Sequence, residues 1–596
     1  MASADRPAGR ETGVFGDVSG IGSSSALAAA LLLLGLAILL AYLPAVLAGF
    51  GFVSDDFMIL QRVRAAGGLR GAAEFFGQPF YDYYRPAGFV SFAMDWTLWG
   101  MRPAGYHGTS VLLHLLNTWL VFVLARRLLS VEMAVLAAAL FGLHVVNHEA
   151  VYWAAARFDL LATAGGLALL VLTSSDWRWR HPAAAVVFLA ALLSKESVAA
   201  LPAAAGAYVW IVRRERASEV VRLFAWLGAA GVVYAVLRQA SGLAGAGGTG
   251  KLPKLAVLAV LLAWQLMATH KTGEALRNRF RGLRGAICAG AILALAAGGV
   301  FAWSSSHGTG VAAALRAFGF DALHLLSPVS PEPWLNPLPA WLGPVGLAAA
   351  AALVAGAWLF GTRQVPAFLG YFLVATLLPV SSMTEGSRYL YLASVPVSIL
   401  VAWAASSVRP RAAAPAFTLA ALALVVFSWQ VRVKGRDWLW ASEMTARAAA
   451  TIVESAGPGC RDAHVAFATA PVRTRGVYAN INHEALAAIA DCRPASVRTI
   501  IRTGYDDPAL DASFDGDRLV MRAASYRGGF VTTPDFQRYA TRIVPGIALR
   551  IANPLGWLEA APEGEGLVIR QELPPGASSS LHWFVFSRGS VRPLRR

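Results

Sequence analysis

Two adjacent carboxylates, Asp55 and Asp56, follow directly on the first long apolar block of the chain. Arg85 lies thirty residues further on, in the aromatic run Tyr81-Asp82-Tyr83-Tyr84-Arg85-Pro86. A carboxylate is a group that takes a proton from an attacking hydroxyl. Arg and Lys stabilise the negative charge of a departing phosphate. Other ionisable residues recur at the ends of apolar blocks: His107, with His114 and Asn117 on the same helical face; His144, His148 and Glu149; Arg157 and Asp159; Lys195 and Glu196; Glu385 and Arg388. Ionisable groups at such depths are costly when they face lipid, so they face a cavity or a partner.

Each group also has a plainer reading. Asp55-Asp56 can be a solvated helix terminus. His144 and His148 are spaced i,i+4 as paired metal ligands can be, but H-E-x-x-H is absent and a satisfied polar contact is the simpler account. Arg157/Asp159 and Lys195-Glu196 can be ion pairs that only join helices. His114 reads as a hydrogen-bonded packing residue between helices.

These residues are set among apolar blocks. The chain has 596 residues, 57% hydrophobic and 14% charged, with a mean hydropathy of +0.53. That balance points to lipid as a solvent, since soluble domains carry about 25% charged residues. The first block is Leu27 to Leu47; further blocks run near 106–129, 131–147, 158–173, 182–194, 197–212, 223–239, 254–269, 285–303, 340–360, 365–380, 388–407 and 413–430. About thirteen transmembrane helices are expected, as an all-α polytopic domain. With the N-terminus inside, the inner loops carry Arg126-Arg127, Arg178, Arg180, the basic residues of 213–222, the run Lys271 to Arg284, Arg363, Arg409 and Arg411. That is about sixteen basic residues against about five acids, as the positive-inside rule requires. The polar residues above then collect on the outer face. Gly242–Gly250 reads as an outer linker, and no repeat of fixed period is visible.

The domains expected are a cytoplasmic tail over 1–24, a transmembrane domain over 25–434 with its first outer loop at 50–105, and an extracytoplasmic soluble domain over 435–596. Residues 435–450 read as a short amphipathic helix. Beyond them, His464–Thr469, Val497–Ile501, Leu519–Ala523 and Leu581–Phe586 read as strands and Glu484–Ala490 as a helix, giving a small α/β or β-rich domain. Cys288 falls in an apolar block. Cys460 and Cys492 either pair as a disulfide or stay as two free buried thiols. The net charge of +16 belongs to inner loops rather than to a nucleic-acid surface, because no basic stripe with interleaved aromatics is present.

In order along the chain, Ser54-Asp55-Asp56, Tyr84-Arg85-Pro86, Gly105-Tyr106-His107 and His114-Leu-Leu-Asn117 resemble the GT-C glycosyltransferases, above all the protein O-mannosyltransferase-like members. Phe141-Gly-Leu-His144, His148-Glu149-Ala-Val-Tyr-Trp153, Arg157-Phe-Asp159-Leu-Leu161, Ser194-Lys195-Glu196 and Ser387-Arg388-Tyr389-Leu-Tyr391-Leu continue the resemblance, which covers roughly 25–445. Trp438 to Pro458 resembles the lead-in to a first TPR, but no TPR repeats follow.

The resemblance implies a sugar transferred from a polyprenyl-phosphate donor outside the cytoplasm, with Asp55 or Asp56 as base and inversion at the anomeric carbon. The implied substrate-binding residues are Arg85, His107, His148, Glu149, Arg157, Asp159, Lys195, Glu196, Arg388 and Tyr389. The acceptor is a protein, lipid or glycan. No cofactor is fixed; a divalent metal, Mg or Mn, is the candidate that a carboxylate pair admits. The Ala/Gly/Arg-rich composition fits a bacterial inner (plasma) membrane. A transporter or flippase for a lipid-linked saccharide, or a membrane-anchored assembly protein, is the competing reading. Transporters place ionisable groups near the midplane and often show inverted repeats, neither of which is visible here.

Overall fold

The structure, a computed structural model, describes residues 24–243, 311–330, 340–349, 364–377, 386–407 and 410–594, apart from short stretches at 472, 476, 480, 482, 504–509, 524–529, 533–540, 544–547, 554, 565 and 588–589. The expected spans at 254–269 and 285–303, the loop Lys271 to Arg284, Cys288, Arg363, Glu385, Arg409 and most of 340–360 lie outside the described residues.

Helix α1 (Ser24–Leu47) carries no charge, and Leu32, Leu33, Leu36 and Leu40 stand exposed along it, as lipid-facing residues do. Helix α2 (Asp55–Ala65) has two acids in its first turn and Arg62 and Arg64 in its last, complementing its dipole at both ends. Helices α3 (Pro86–Trp99) and α4 (Pro103–Ala125) both start on a proline, which needs no backbone donor there. Helix α5 (Val131–Leu143) stops at His144, whose backbone is extended and whose Nδ1 accepts from Val146 N. The one-turn helix α6 (His148–Tyr152) follows, and Trp153 breaks the chain again before α7 (Arg157–Thr173). The break at His144 bends Val131–Leu143 against Val145–Tyr152 by 48°.

Helices α8 (Arg180–Ser194), α9 (Leu201–Ala207), α10 (Ala217–Ala240), α11 (Val311–Leu326), α12 (Gln364–Leu377) and α13 (Ser394–Ser406) complete the bundle with α14 (Pro410–Ala456). Five described helices are long and apolar enough to cross a membrane, or six if the bent pair counts as one span. The chain is a multi-pass membrane protein. The blocks at 182–194, 197–212, 365–380 and 388–407 form shorter apolar helices. Residues 435–450 are not a separate amphipathic helix: they continue the last span in one helix of 47 residues.

That helix carries the chain into a β-rich domain. Strand β1 (His464–Pro471) is followed by the ribbon β2 (Arg473–Thr474) and β3 (Val477–Tyr478), helix α15 (His483–Ala490) and strand β4 (Ser496–Thr503). Strands β5 (Leu510–Asp515), β6 (Arg518–Ala523), β7 (Phe530–Thr532), β8 (Thr541–Ile543), β9 (Leu549–Asn553), β10 (Gly556–Glu563), β11 (Gly566–Glu572), β12 (His582–Ser587) and β13 (Ser590–Pro593) follow. They form a six-stranded sheet, β13-β12-β1-β4-β7-β8, and a five-stranded antiparallel sheet, β5-β6-β11-β10-β9. Side chains alternate across a strand, and β1 uses both faces. Ala466 and Ala468 join the core between the sheets, while Val465 and Phe467 pack on Ala449 and Ile452 of α14.

Cys460 and Cys492 are joined as a disulfide 32 residues apart, under that second cluster. Opening a loop of this length lowers stability by about 2–4 kcal/mol. Replacing Cys460 by Ser is expected to lower the thermal midpoint of the C-terminal domain by that equivalent, and reductant is expected to act on the natural chain but not on the variant.

Candidate active site

The two adjacent acids have different surroundings, because neighbours on a helix point about 100° apart. Asp56 is buried. Its Oδ2 accepts from Val53 N at 3.0 Å and its Oδ1 from Ala155 N at 2.7 Å. Ala155 lies in the break between α6 and α7, where a backbone N–H has no helical partner. Burial pushes the Asp56 carboxyl up to about 7, against those two donors, which favour the carboxylate. Asp55 is half-buried and accepts from Ser54 Oγ at 3.3 Å. Burial raises its pKa, while the positive charge of Arg388 lowers it. Ser54, just before the pair, adopts a left-handed φ of 49°. Such backbone is strained for a residue with a Cβ and persists only where its surroundings fix it.

Arg388 comes from the turn before α13. Its Nη1 donates to Glu149 Oε1 at 2.6 Å, and its backbone N donates to Glu149 Oε2 at 3.0 Å. Gly386 makes this approach feasible, since a Cβ there would stand 2.4 Å from Arg388 Nη1. The guanidinium lies over the rings of Trp153 and Tyr389, at 4.7 and 4.3 Å. The Lys195 ammonium stands 4.8 Å from the Tyr389 ring centre and donates to both oxygens of Asp159 at 2.6 Å. Arg85 binds Glu196 through two hydrogen bonds, at 3.1 and 2.9 Å, and lies over Tyr83. His148 Nδ1 accepts from the Trp438 indole at 3.3 Å; an indole only donates, so the neutral ring carries its proton on Nε2, towards Ser387 Oγ.

Two of these pairs, Arg388–Glu149 and Arg85–Glu196, keep an edge open to solvent, while Lys195–Asp159 is buried. Side-chain exposure is 13% for Arg388, 15% for Arg85 and 7% for Lys195. Two expected residues do not join them. Arg157 is 0% exposed and is held by Asp95 at 2.6 Å and by the Tyr106 carbonyl at 2.8 Å. His107 is fully buried and stacks on Phe50, ring centres 4.0 Å apart. His114 bonds Tyr391 and the Gly142 carbonyl, as its packing role requires, and His144 Nε2 bonds the Leu325 carbonyl rather than a metal. Among the described residues, no three of His, Cys, Asp and Glu converge as a metal-binding set.

Two charged residues here carried no signal in the sequence. Asp95 sits in α3, a helix that the apolar pattern does not mark, and it neutralises Arg157. Arg473 sits in the C-terminal domain, and its Nη2 comes within 3.8 Å of Glu149 Oε1.

No family model matches the chain. A segment of 124 residues is 40% identical to the protein O-mannosyl-transferase Tmtc1 of Drosophila melanogaster, covering 18% of this chain and 14% of that protein. A segment of 145 residues is 36% identical to the protein O-mannosyl-transferase Tmtc2 of the same organism, covering 22% of this chain and 16% of that protein. The chain thus resembles O-mannosyl-transferases, as its motifs implied, while spanning less than a fifth of each relative's length. Looser likenesses extend to solved structures. The archaeal oligosaccharyltransferase AglB from Archaeoglobus fulgidus, in complex with an inhibitory peptide and a dolichol-phosphate, has a TM-score of 0.43 at 11% identity, over 79% of this chain and 64% of that one. ArnT from Cupriavidus metallidurans, bound to undecaprenyl phosphate, has a TM-score of 0.32 at 14% identity, over 81% of this chain and 93% of that one. Likenesses this loose equate neither residues nor ligands between the chains.

The sealed Arg157–Asp95 pair has a simple consequence. Replacing Arg157 alone by Met leaves a buried carboxylate without its counter-ion and is expected to destabilise the protein by about 3–5 kcal/mol. Adding Asp95→Leu is expected to restore most of that loss, read as the thermal midpoint in detergent.

Proposed function

We propose that this protein is a GT-C-type membrane glycosyltransferase, moving a sugar from a polyprenyl-phosphate donor to an acceptor hydroxyl on the outer face of the membrane, with Asp55 as the base. The observation that carries the reading is the division between the two acids. Asp56 spends both oxygens on backbone N–H groups, whereas Asp55 is less deeply buried, with Ser54 Oγ as its hydrogen-bond partner among the described residues. Asp55 also feels Arg388, a cation of the kind that a leaving phosphate needs. The identity shared with O-mannosyl-transferases agrees with a sugar as the group moved.

In this mechanism the acceptor hydroxyl gives its proton to Asp55 as its oxygen attacks the anomeric carbon, and the bond to the donor phosphate breaks on the opposite side. One displacement inverts the centre. Arg388, with Lys195 and Arg85 beside it, takes up the charge of the departing phosphate. Glu149, Asp159 and Glu196 orient those cations, and Tyr389 keeps two of them apart through its ring face. Arg157 and His107 support the site through packing. The outer face and the inward N-terminus are supported by the basic inner loops, and by a disulfide, a bond that persists in oxidising compartments.

Asparagine at position 55 is expected to lower sugar transfer in vesicles by about a hundredfold or more, with the thermal midpoint kept. Asparagine at position 56 can accept through one oxygen only, so one backbone N–H is orphaned and stability drops by about 1–3 kcal/mol. Full transfer by the Asp55→Asn protein would remove the proposed base.

The pH profile gives a second test. A base works when ionised, and burial raises the Asp55 pKa, so transfer should fail on acidification at a pH above the ordinary carboxylate range. Arg388 holds that pKa down, so Arg388→Gln should move the acidic limb to higher pH. An acidic limb that stays in place or moves down would refute the coupling.

A further inference from the structure

Arg473 belongs to the C-terminal domain, yet it lies against the membrane site. The ribbon β2–β3 that carries it turns through Arg475, at a left-handed φ of 50°. It is pinned at two points: the Arg475 guanidinium lies 4.4 Å over the Trp440 ring of α14, and Val477 is buried in the same apolar cluster as the membrane helices. Ala485 of α15 joins that cluster too, and α15 brings Glu484 into electrostatic range of Tyr81 in the first outer loop. The domain is therefore packed into the top of the bundle. At that contact the Arg473 side chain is 3% exposed and shares Glu149 with Arg388.

A guanidinium cannot lose its proton at any ordinary pH, so burying it requires charge of the opposite sign nearby. Glu149 is equally buried, at 3%, and supplies that charge. Without Arg473, Arg388 faces both Asp55 and Glu149, and an arriving phosphate would be a third anion on that one guanidinium, while Lys195 and Arg85 each hold an acid of their own. With Arg473 in place, Glu149 has a second counter-ion, at 3.8 Å beside Arg388 at 2.6 Å, and less of the Arg388 charge is drawn away from the phosphate. Asp437 nearby has Lys434, Arg436 and Arg475 around it and does not draw on this pair.

We propose that the C-terminal domain completes the donor site: Arg473 is a positioning residue that balances Glu149, so that Arg388 can receive the phosphate of a polyprenyl-phosphate donor. The proposal rests on the functional reading above. It assigns the soluble domain a part in donor binding, apart from any part in holding an acceptor.

The test uses the full-length protein in detergent and a polyprenyl phosphate without sugar as the probe, its binding measured directly. Arg473→Gln is expected to weaken binding about tenfold or more, and Arg473→Lys to restore most of it. In a Glu149→Gln background there is no carboxylate to balance, so adding Arg473→Gln should weaken binding less than threefold. A brace that only held the domain in place would show the same loss in both backgrounds, and that result would overturn the proposal. So would an Arg473→Gln protein that binds as the natural chain does. If the natural chain itself binds no polyprenyl phosphate, both the functional reading and this proposal fall. If Arg473→Gln fails to fold, Arg473→Met in the two backgrounds carries the comparison, with equal losses in both counting against the role.

Discussion

Asp56 accepts backbone N–H groups from Val53, which leads into α2, and from Ala155, 99 residues beyond Asp56 in the break before α7. Val53 precedes α2 and Ala155 lies in the short 3-10 turn before α7, so neither N–H has an α-helical partner, and an unpaired buried N–H is costly. One carboxylate therefore fixes the start of the loop after α1 against the turn that carries His148, Glu149 and Trp153. Asp55, next in the chain and turned about 100° away, inherits its position from that contact. Removing the contact would loosen both the loop and the site at once.

The rest of the polar end follows from the cost of charge near lipid. Arg157 with Asp95, Lys195 with Asp159, Arg85 with Glu196 and Arg388 with Glu149 each join two helices or turns distant in the sequence. Pairing is what buried ions require, so the pairs alone do not mark a site. What separates them is exposure. The Arg157 pair is sealed and structural, whereas the Arg388 and Arg85 pairs keep an edge open to solvent, and Arg388 and Lys195 share the aromatic face of Tyr389. Tyr389 also insulates two cations from one another, since each can lie over its ring.

The long helix α14 links this end to the β-rich domain. Because it does not break between 430 and 450, the domain is carried on a rigid rod rather than a flexible linker. Both faces of β1 are then occupied, one by the second sheet and one by the end of α14. A domain held this firmly can place a side chain such as Arg473 reproducibly against a membrane site.

Apolar runs without charge, such as Leu27 to Leu47, have one stable fate in lipid, so the sequence by itself determined the spanning helices around them. Short apolar, β-branched runs at His464–Thr469 and Leu519–Ala523 likewise marked strands, and β1 buries both of its faces. The candidate residues were legible as types, since Asp, Arg, His and Lys beside apolar blocks must find partners. Their partners were not legible. Which of two adjacent acids meets the backbone depends on a break at Trp153, a hundred residues away. The neutralising role of Asp95 depends on a helix of 14 residues, too short to read as a span. The approach of Arg473 depends on how a separate domain docks. Only the tertiary structure decided these points, because pairing energies act between atoms close in space and leave no trace in the local order of residues.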